Sequence, residues 1–411
     1  SYLSMLYSLA LSNGGDKRWW IAAALACTLG MASKENMVSA PLIALLYDRT
    51  FLAGSFRQAL ALRAKLYMGL AATWLLLGFL LIARPHGESI GFATELGSWV
   101  YLLNQCTVIA DYLYKSIWPH PLILDYGFPL PLTLGDIWPQ GLMLIGLLAM
   151  TGWTLYRHPP IGFCLALFFA VLAPTSSFVP IVNEVGAERR VYLPLAALIA
   201  VVITAAYSAL GQTTARHRTF VAILGLVLAA FSWRTLDRNH DFHTPMALAR
   251  TVVAAVPHNP RGQTYLGLAL VEAGHVQQGI QHYQRAIALR PTFGEAHNNL
   301  GIALGKLGRH TEAIPCYQTA IAHYPRLTQA YNNLGNALLS IDRTQEAIAY
   351  YREAIDRRPA YADAHNNLGI ALATTGQINK AQNHFRRALE IRPDFPAARK
   401  NLEISKRSNR P

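Results

Sequence analysis

Apolar positions follow two rhythms along this chain, and the change of rhythm divides it. Up to about residue 236 they come in long runs, with polar and charged residues gathered in the connections. A helix that crosses a bilayer needs about 20 mostly apolar residues. The runs at 19–33, 37–47, 66–83, 139–156, 161–182, 191–210 and 219–236 are candidates, the second of them short. The stretch before Asn13 reads as the end of a further span. Beyond residue 256 apolar residues are spaced as on amphipathic helices, and the spacing repeats. Proline stands at 257, 291, 325, 359 and 393, at intervals of 34 residues.

Units can be written over 260–293, 294–327, 328–361 and 362–395. Each has a Leu-Gly pair in its first helix (Leu266-Gly267, Leu300-Gly301, Leu334-Gly335, Leu368-Gly369) and a small residue in its second (Gly279, Ala313, Ala347, Ala381). An aromatic follows (Tyr283, Tyr317, Tyr351, Phe385), then alanine (Ala286, Ala320, Ala354, Ala388). This resembles the tetratricopeptide repeat, a pair of helices that must stack on its neighbours to bury its apolar faces. The stretch 243–256 reads as a lone second helix ahead of the stack, and 397–406 as a polar capping helix. The expectation is an all-α protein. Residues 1–238 form a polytopic membrane domain, 239–259 a connecting helix, 260–395 an α-solenoid of four repeats, and 396–411 a capping helix and tail.

Three units carry Asn-Asn before Leu-Gly, and the second of each pair, Asn299, Asn333 and Asn367, recurs on one concave line. A row of amides offers donors and acceptors to an extended peptide backbone, and the row resembles that of the O-linked N-acetylglucosamine transferase repeats. The alternative is that these amides serve only neighbouring turns. In the first unit Tyr265 takes the same place.

Charged residues make up 14% of the chain, against roughly 25% in soluble domains. The net charge is +13. In the repeats the charges alternate in sign along helices, the pattern of a solvated face, so no nucleic-acid partner is expected. The four cysteines have neither paired nor metal-ligand spacing and read as small apolar fillers. No metal site, phosphate loop, nucleotide fingerprint or nucleophile elbow is visible. Short basic connections favour the cytoplasmic side. Placing Lys17 and Arg18, then Arg49, Arg57, Arg63 and Lys65, then Arg157 with His158, then Arg216 with Arg218 there puts 33–36, 84–139 and 182–190 outside, and the repeats with them. Segment 99–118 carries Asn104, Gln105, Asp111 and Lys115, too polar for cheap burial in lipid. It is therefore expected along the outer interface as an amphipathic helix.

The outer turns hold the candidate chemistry. Lys34 and Glu35 interrupt two apolar helices, as a neutralising pair or as the lining of a polar cavity. Glu184, Glu188, Arg189 and Arg190 put two arginines against the usual charge bias; arginine forks bind phosphate in bidentate fashion, or they pair with the glutamates beside them. Arg84, His86, Glu88, His120, Asp125 and Tyr126 lie in loops where each either packs or touches substrate.

Taken together, Ser33-Lys34-Glu35-Asn36 after a span, Pro119-His120-Pro121-Leu122 followed by Asp125-Tyr126, Glu188-Arg189-Arg190-Val191-Tyr192-Leu193-Pro194 and the repeats resemble the transmembrane-and-tetratricopeptide O-mannosyltransferases and their bacterial relatives. The resemblance implies the multi-span C-type glycosyltransferase fold. It also implies a polyprenyl-phosphate sugar as donor, no evident further cofactor, and transfer of a hexose to Ser or Thr of a protein acceptor on the extracytoplasmic side of a bacterial inner membrane. A carboxylate would deprotonate the hydroxyl, and cations would stabilise the leaving phosphate. The family's acidic catalytic residue belongs to the first outer loop, upstream of Ser1. The chain is thus read as an N-terminally shortened piece without that residue, inactive by itself. Lys34, Glu35, Arg84, Glu184, Glu188, Arg189 and Arg190 are assigned to the donor phosphate and lipid side, and Asn299, Asn333 and Asn367 to the acceptor. A membrane-anchored scaffold without catalysis, and a lipid-linked glycan ligase or polymerase, are the competing readings.

Overall fold

The computed structural model describes residues 2–12, 18–33, 35–83, 98–117, 125, 127, 129–174, 192–210, 214–239 and 244–407. Every regular element among them is helical, and the chain parts into two units, Ser1–His240 and Asp241–Pro411.

The first unit holds α1 (Tyr2–Leu11), α2 (Arg18–Ser33), a short 3-10 turn (Glu35–Ser39), α3 (Ala40–Phe51), α4 (Phe56–Ala83), α5 (Ser98–Ile117), α6 (Leu134–Arg157), α7 (Pro159–Leu172), α8 (Tyr192–Leu210) and α9 (Thr214–Asn239). Among the described residues α4 over Phe56–Phe79 and α6 over Leu134–Arg157 are long and apolar enough to cross a membrane. They turn Leu62, Met68, Leu75, Phe79, Leu142, Ile145 and Trp153 outward. The candidate span at 37–47 is instead broken by the 3-10 turn, and the helix that follows has only 12 residues. One core joins α1, α2, α3, α4 and α7 through Met5, Leu9, Cys27, Ile43, Leu70 and Phe163.

A buried polar network ties α3 to α4. Asp48 is wholly enclosed, accepts from the Arg63 guanidinium, and accepts from the Tyr67 hydroxyl at 2.6 Å. Arg63 itself has non-helical torsions (φ −128°, ψ 30°), which kink α4. Beside this network Tyr47 and Phe51 of α3 meet Phe163 of α7, with ring centroids 5.8 and 5.3 Å away. Arg49, Arg57 and Arg63 therefore lie at the same end of the unit as the α6–α7 turn with Arg157 and His158.

The helix expected along an outer interface is placed differently. Val108 and Tyr112 of α5 pack on Phe168 and Leu172 of α7. The polar residues that suggested water contact are inside: Asn104, Gln105 and Lys115 are buried. Asn104 donates to the Val100 and Leu130 carbonyls, both at 2.8 Å, and accepts from the Leu130 N–H at 2.9 Å. Lys115 pairs with Asp111 at 2.8 Å. A polar side chain tolerates burial when another group meets its hydrogen bonds, and here a loop strand 26 residues downstream does so.

The second unit starts with α10 (Pro245–Ala255). Then come paired helices: α11 (Pro260–Glu272) with α12 (Val276–Leu289), α13 (Gly294–Lys306) with α14 (His310–His323), α15 (Thr328–Leu339) with α16 (Thr344–Arg357), and α17 (Ala362–Thr374) with α18 (Ile378–Ile391). α19 (Pro396–Arg407) closes the described chain. Each helix packs on the next, and a continuous core runs from Val271 to Phe385. The Leu-Gly pairs set the closeness of the pairing. A Cβ on Gly267, Gly301, Gly335 or Gly369 would lie 2.7, 2.6, 2.5 or 2.5 Å from the ring of Tyr283, Tyr317, Tyr351 or Phe385.

The stretch read as a simple polar cap continues the register. Asn401 and Leu402 of α19 stand 34 residues after Asn367 and Leu368, but Glu403 replaces the glycine. An aromatic from a second helix cannot seat against α19 as the four aromatics seat in the units before it.

Candidate peptide-binding groove and comparisons

The amides form a ladder between units. Asn298, Asn332 and Asn366 are buried, while Asn299, Asn333 and Asn367 are half-buried beside them. The second asparagine of one unit donates back to the first of the unit before. Asn333 Nδ2 reaches Asn298 Oδ1 at 3.1 Å, Asn367 reaches Asn332 at 3.0 Å, and Asn401 reaches Asn366 at 2.9 Å. The rungs therefore cross unit boundaries, while Asn298 and Asn366 also donate to Asn299 and Asn367 beside them. Asn401 was missed in the sequence, although its place 34 residues after Asn367 was the signal.

A primary amide has two N–H donors and two acceptor lone pairs. Asn333 uses one donor, and Asn299 uses one lone pair, for the Asn298 N–H at 3.3 Å. Asn367 is nearly saturated: it donates to Asn332 and to Asn336, both at 3.0 Å, and accepts from Asn366 at 3.2 Å. Asn299 and Asn333 thus hold the most capacity for a guest backbone, and Asn367 offers an acceptor. At the first-unit end the row passes into Tyr265 and Leu268, both exposed and apolar in character.

A second recurring set escaped the sequence reading. The residue six places after a periodic proline bonds that proline's carbonyl. Gln263 reaches Pro257 at 2.9 Å, His297 reaches Pro291 at 2.9 Å, His365 reaches Pro359 at 3.1 Å and Arg399 reaches Pro393 at 3.1 Å. Tyr331 cannot reach back in this way, so Arg357 stacks over its ring at 4.2 Å and donates to the Pro325 carbonyl at 3.3 Å. The fixed interval of six was visible in the sequence; the differing chemistries hid it.

Outside the groove, Arg309–Glu312 and Arg343–Glu346 form exposed pairs, each at 2.6 Å. Such pairs contribute little each. Among the described residues no three His, Cys, Asp or Glu side chains converge as a metal site. Of the donor-side candidates, Lys34, Arg84, Glu184, Glu188, Arg189 and Arg190 lie outside the described residues. Glu35 opens the 3-10 turn, with its side chain likewise outside them. His86, Glu88, His120 and Tyr126 are also outside. Asp125 accepts the Gly127 N–H at 2.8 Å, a turn bond, with Gly127 at φ +83°.

Models described as tetratricopeptide repeat match residues 292–360 and 338–402, and one described as TPR repeat matches 267–308. Together these matches span residues 267–402, within the solenoid. Among curated proteins the chain is similar to protein O-mannosyl-transferase Tmtc2 of Drosophila melanogaster, 33% identical over 127 residues, which are 31% of this chain and 13% of the relative. It is also similar to protein O-mannosyl-transferase TMTC1 of Homo sapiens, 27% identical over 229 residues, 52% of this chain and 26% of the relative. The chain spans about a quarter or less of their length. Among solved structures the crystal structure of MamA is 27% identical, with a TM-score of 0.34, covering 38% of this chain and 91% of that one.

Proposed function

We propose that this chain is part of a membrane glycosyltransferase that moves a hexose, mannose, from a polyprenyl-phosphate donor to Ser or Thr hydroxyls on the extracytoplasmic side, and that its tetratricopeptide groove holds the acceptor polypeptide. The likeness to curated O-mannosyl-transferases supports the reaction class. The amide ladder, which keeps free hydrogen-bonding capacity at Asn299 and Asn333, supports the acceptor role and is the observation that carries the reading.

The chemistry divides accordingly. The acceptor hydroxyl attacks the anomeric carbon while a carboxylate takes its proton, and the lipid phosphate leaves with the bonding electrons. Arg189, Arg190, Lys34 and Arg84 receive that phosphate, oriented by Glu35, Glu184 and Glu188. The ladder contributes position alone: an extended backbone bonded to amides presents its hydroxyls without selection of side chains, and positioning lowers the entropic part of the barrier.

The test uses the full-length protein in detergent with polyprenyl-phosphate mannose and a protein acceptor. Asn299→Ala with Asn333→Ala should raise KM for the protein acceptor several-fold while kcat with a short hydroxyl acceptor stays unchanged. Equal loss on both acceptors, or no loss on either, overturns the acceptor role. Acceptor binding without any transferred label overturns the enzymatic reading in favour of a scaffold.

A further inference from the structure

Two neighbouring polar groups at the end of α3 lack hydrogen-bond partners. The Nη1 nitrogen of Arg49 is enclosed and makes no hydrogen bond, and the same holds for the Thr50 hydroxyl. Threonines elsewhere in these helices place the hydroxyl on a carbonyl one turn back, as Thr28 does on Ala24, Thr151 on Leu147 and Thr235 on Phe231. Thr50 makes no such bond. A buried donor left unmade costs free energy. Two of them on consecutive residues point to a group that arrives from outside the chain.

The surroundings give that group its chemistry. Asp48 is the only carboxylate in 48–65, and Arg63 and Tyr67 occupy both of its oxygens. Arg49, Arg57 and Lys65 remain in the same stretch, the last two exposed. The Arg49 guanidinium lies over the Phe56 ring, 5.8 Å from its centre. That contact sets it beside the amino end of α4, where the helix dipole favours an anion. The kink at Arg63 separates residues 56–62 from the rest of α4. Phe56, Leu60 and Leu62 of that segment are exposed, as is Phe51 at the end of α3. Basic side chains among exposed aromatic and aliphatic ones suit the headgroup level of a bilayer.

We propose that Arg49 and Thr50 hold the phosphate of an anionic membrane phospholipid. The proposal rests on the reading of residues 1–238 as a membrane domain. The guanidinium and the hydroxyl each donate to the phosphate, the first with charge assistance. Phe51, Leu60 and Leu62 give the acyl chains apolar cover. Arg57 and Lys65 repel a choline head, so a lipid of net negative charge is preferred. Free phosphate would meet the donors but gain nothing from the apolar surface.

The full chain in neutral detergent receives phosphatidylglycerol, phosphatidylcholine or inorganic phosphate. Retained lipids are counted by native mass spectrometry, and unfolding is followed by tryptophan fluorescence. All eight tryptophans lie in the first unit, so the signal reports on it alone. The wild type should retain phosphatidylglycerol, and its midpoint should rise saturably with that lipid only. Arg49→Gln and Thr50→Val should each bind it about tenfold more weakly and lose the rise. Thr50→Val keeps the side-chain volume, so its melt without lipid should match the wild type. Arg157→Gln, at the same end of the unit, should bind as the wild type does. An equal response to phosphatidylcholine or to inorganic phosphate, unchanged binding in R49Q, or equal loss in R157Q overturns the proposal. The membrane reading is tested apart from it, by flotation with phosphatidylcholine vesicles. A chain that floats but shows no phosphatidylglycerol effect overturns the lipid site alone, and one that neither floats nor needs detergent overturns both.

Discussion

Gly335→Ala tests how far the helix pairing depends on missing side-chain atoms. A Cβ built on Gly335 would stand 2.5, 2.8 and 2.9 Å from three carbons of the Tyr351 ring. Ordinary contact needs about 3.5–4.0 Å, so the ring or the helix must retreat by roughly 1 Å. Tyr351 has little room to do so: it is fully buried, and its hydroxyl donates to Asn336 Oδ1 at 2.8 Å. Overpacking of this kind costs about 1–3 kcal/mol, while replacing glycine by alanine inside a helix returns up to about 1 kcal/mol. Gly305→Ala is the control. Its Cβ meets only His310 Nδ1, at 3.9 Å, so the propensity gain should stand alone. The two substitutions should therefore differ by about 1–3 kcal/mol. Hydrogen exchange in the full chain, of the α15 and α16 amides for Gly335→Ala and of the α13 and α14 amides for Gly305→Ala, reads the difference without requiring both units to unfold together. In a Tyr351→Ala background the Gly335→Ala penalty should vanish, which assigns it to that contact. Equal stabilities for Gly335→Ala and Gly305→Ala, or a penalty that persists without Tyr351, would refute the steric account.

Other consequences can be checked separately. Asp48→Ala removes the enclosed carboxylate to which Arg63 and Tyr67 both donate and should destabilise the first unit by about 3–5 kcal/mol. Asp48→Leu with Arg63→Met should recover most of that stability in detergent melts. Burial, with the nearby Arg285 charge second, holds His282 below the usual histidine range. Its contribution is therefore complete above the unfolded value of about 6.5 and is lost as pH falls below it. His282→Gln should flatten the acid side of the stability profile between pH 7 and 5; an unchanged slope would clear His282 of that role. If the proposed function holds, Arg189→Glu in the full-length protein should abolish sugar transfer while leaving polypeptide binding to the repeats intact, and undiminished turnover would remove Arg189 from the proposed donor side.

What could be read from the sequence depended on whether a residue's partners were periodic. The solenoid was legible because a 34-residue interval places each glycine opposite an aromatic in every unit. The amide row was legible for the same reason, but its direction was not, since a rung from Asn333 to Asn298 spans 35 residues and joins two units. The polar residues of α5 were weighed against lipid alone, whereas Asn104 finds its partners in the loop at Leu130. No local pattern announces such a partner. The Asp48–Arg63–Tyr67 network escaped likewise: Arg63 counted as one more positive charge in a connection, yet it is enclosed with its carboxylate.

The rungs that cross unit boundaries carry a mechanical implication. A guest lying in the groove would draw on the same amides that fasten one repeat to the next, so occupancy and curvature of the superhelix share a single set of bonds. By reciprocity of linked equilibria, pulling the coil straighter would alter its grip on a polypeptide, and a tightly held polypeptide would stiffen the coil.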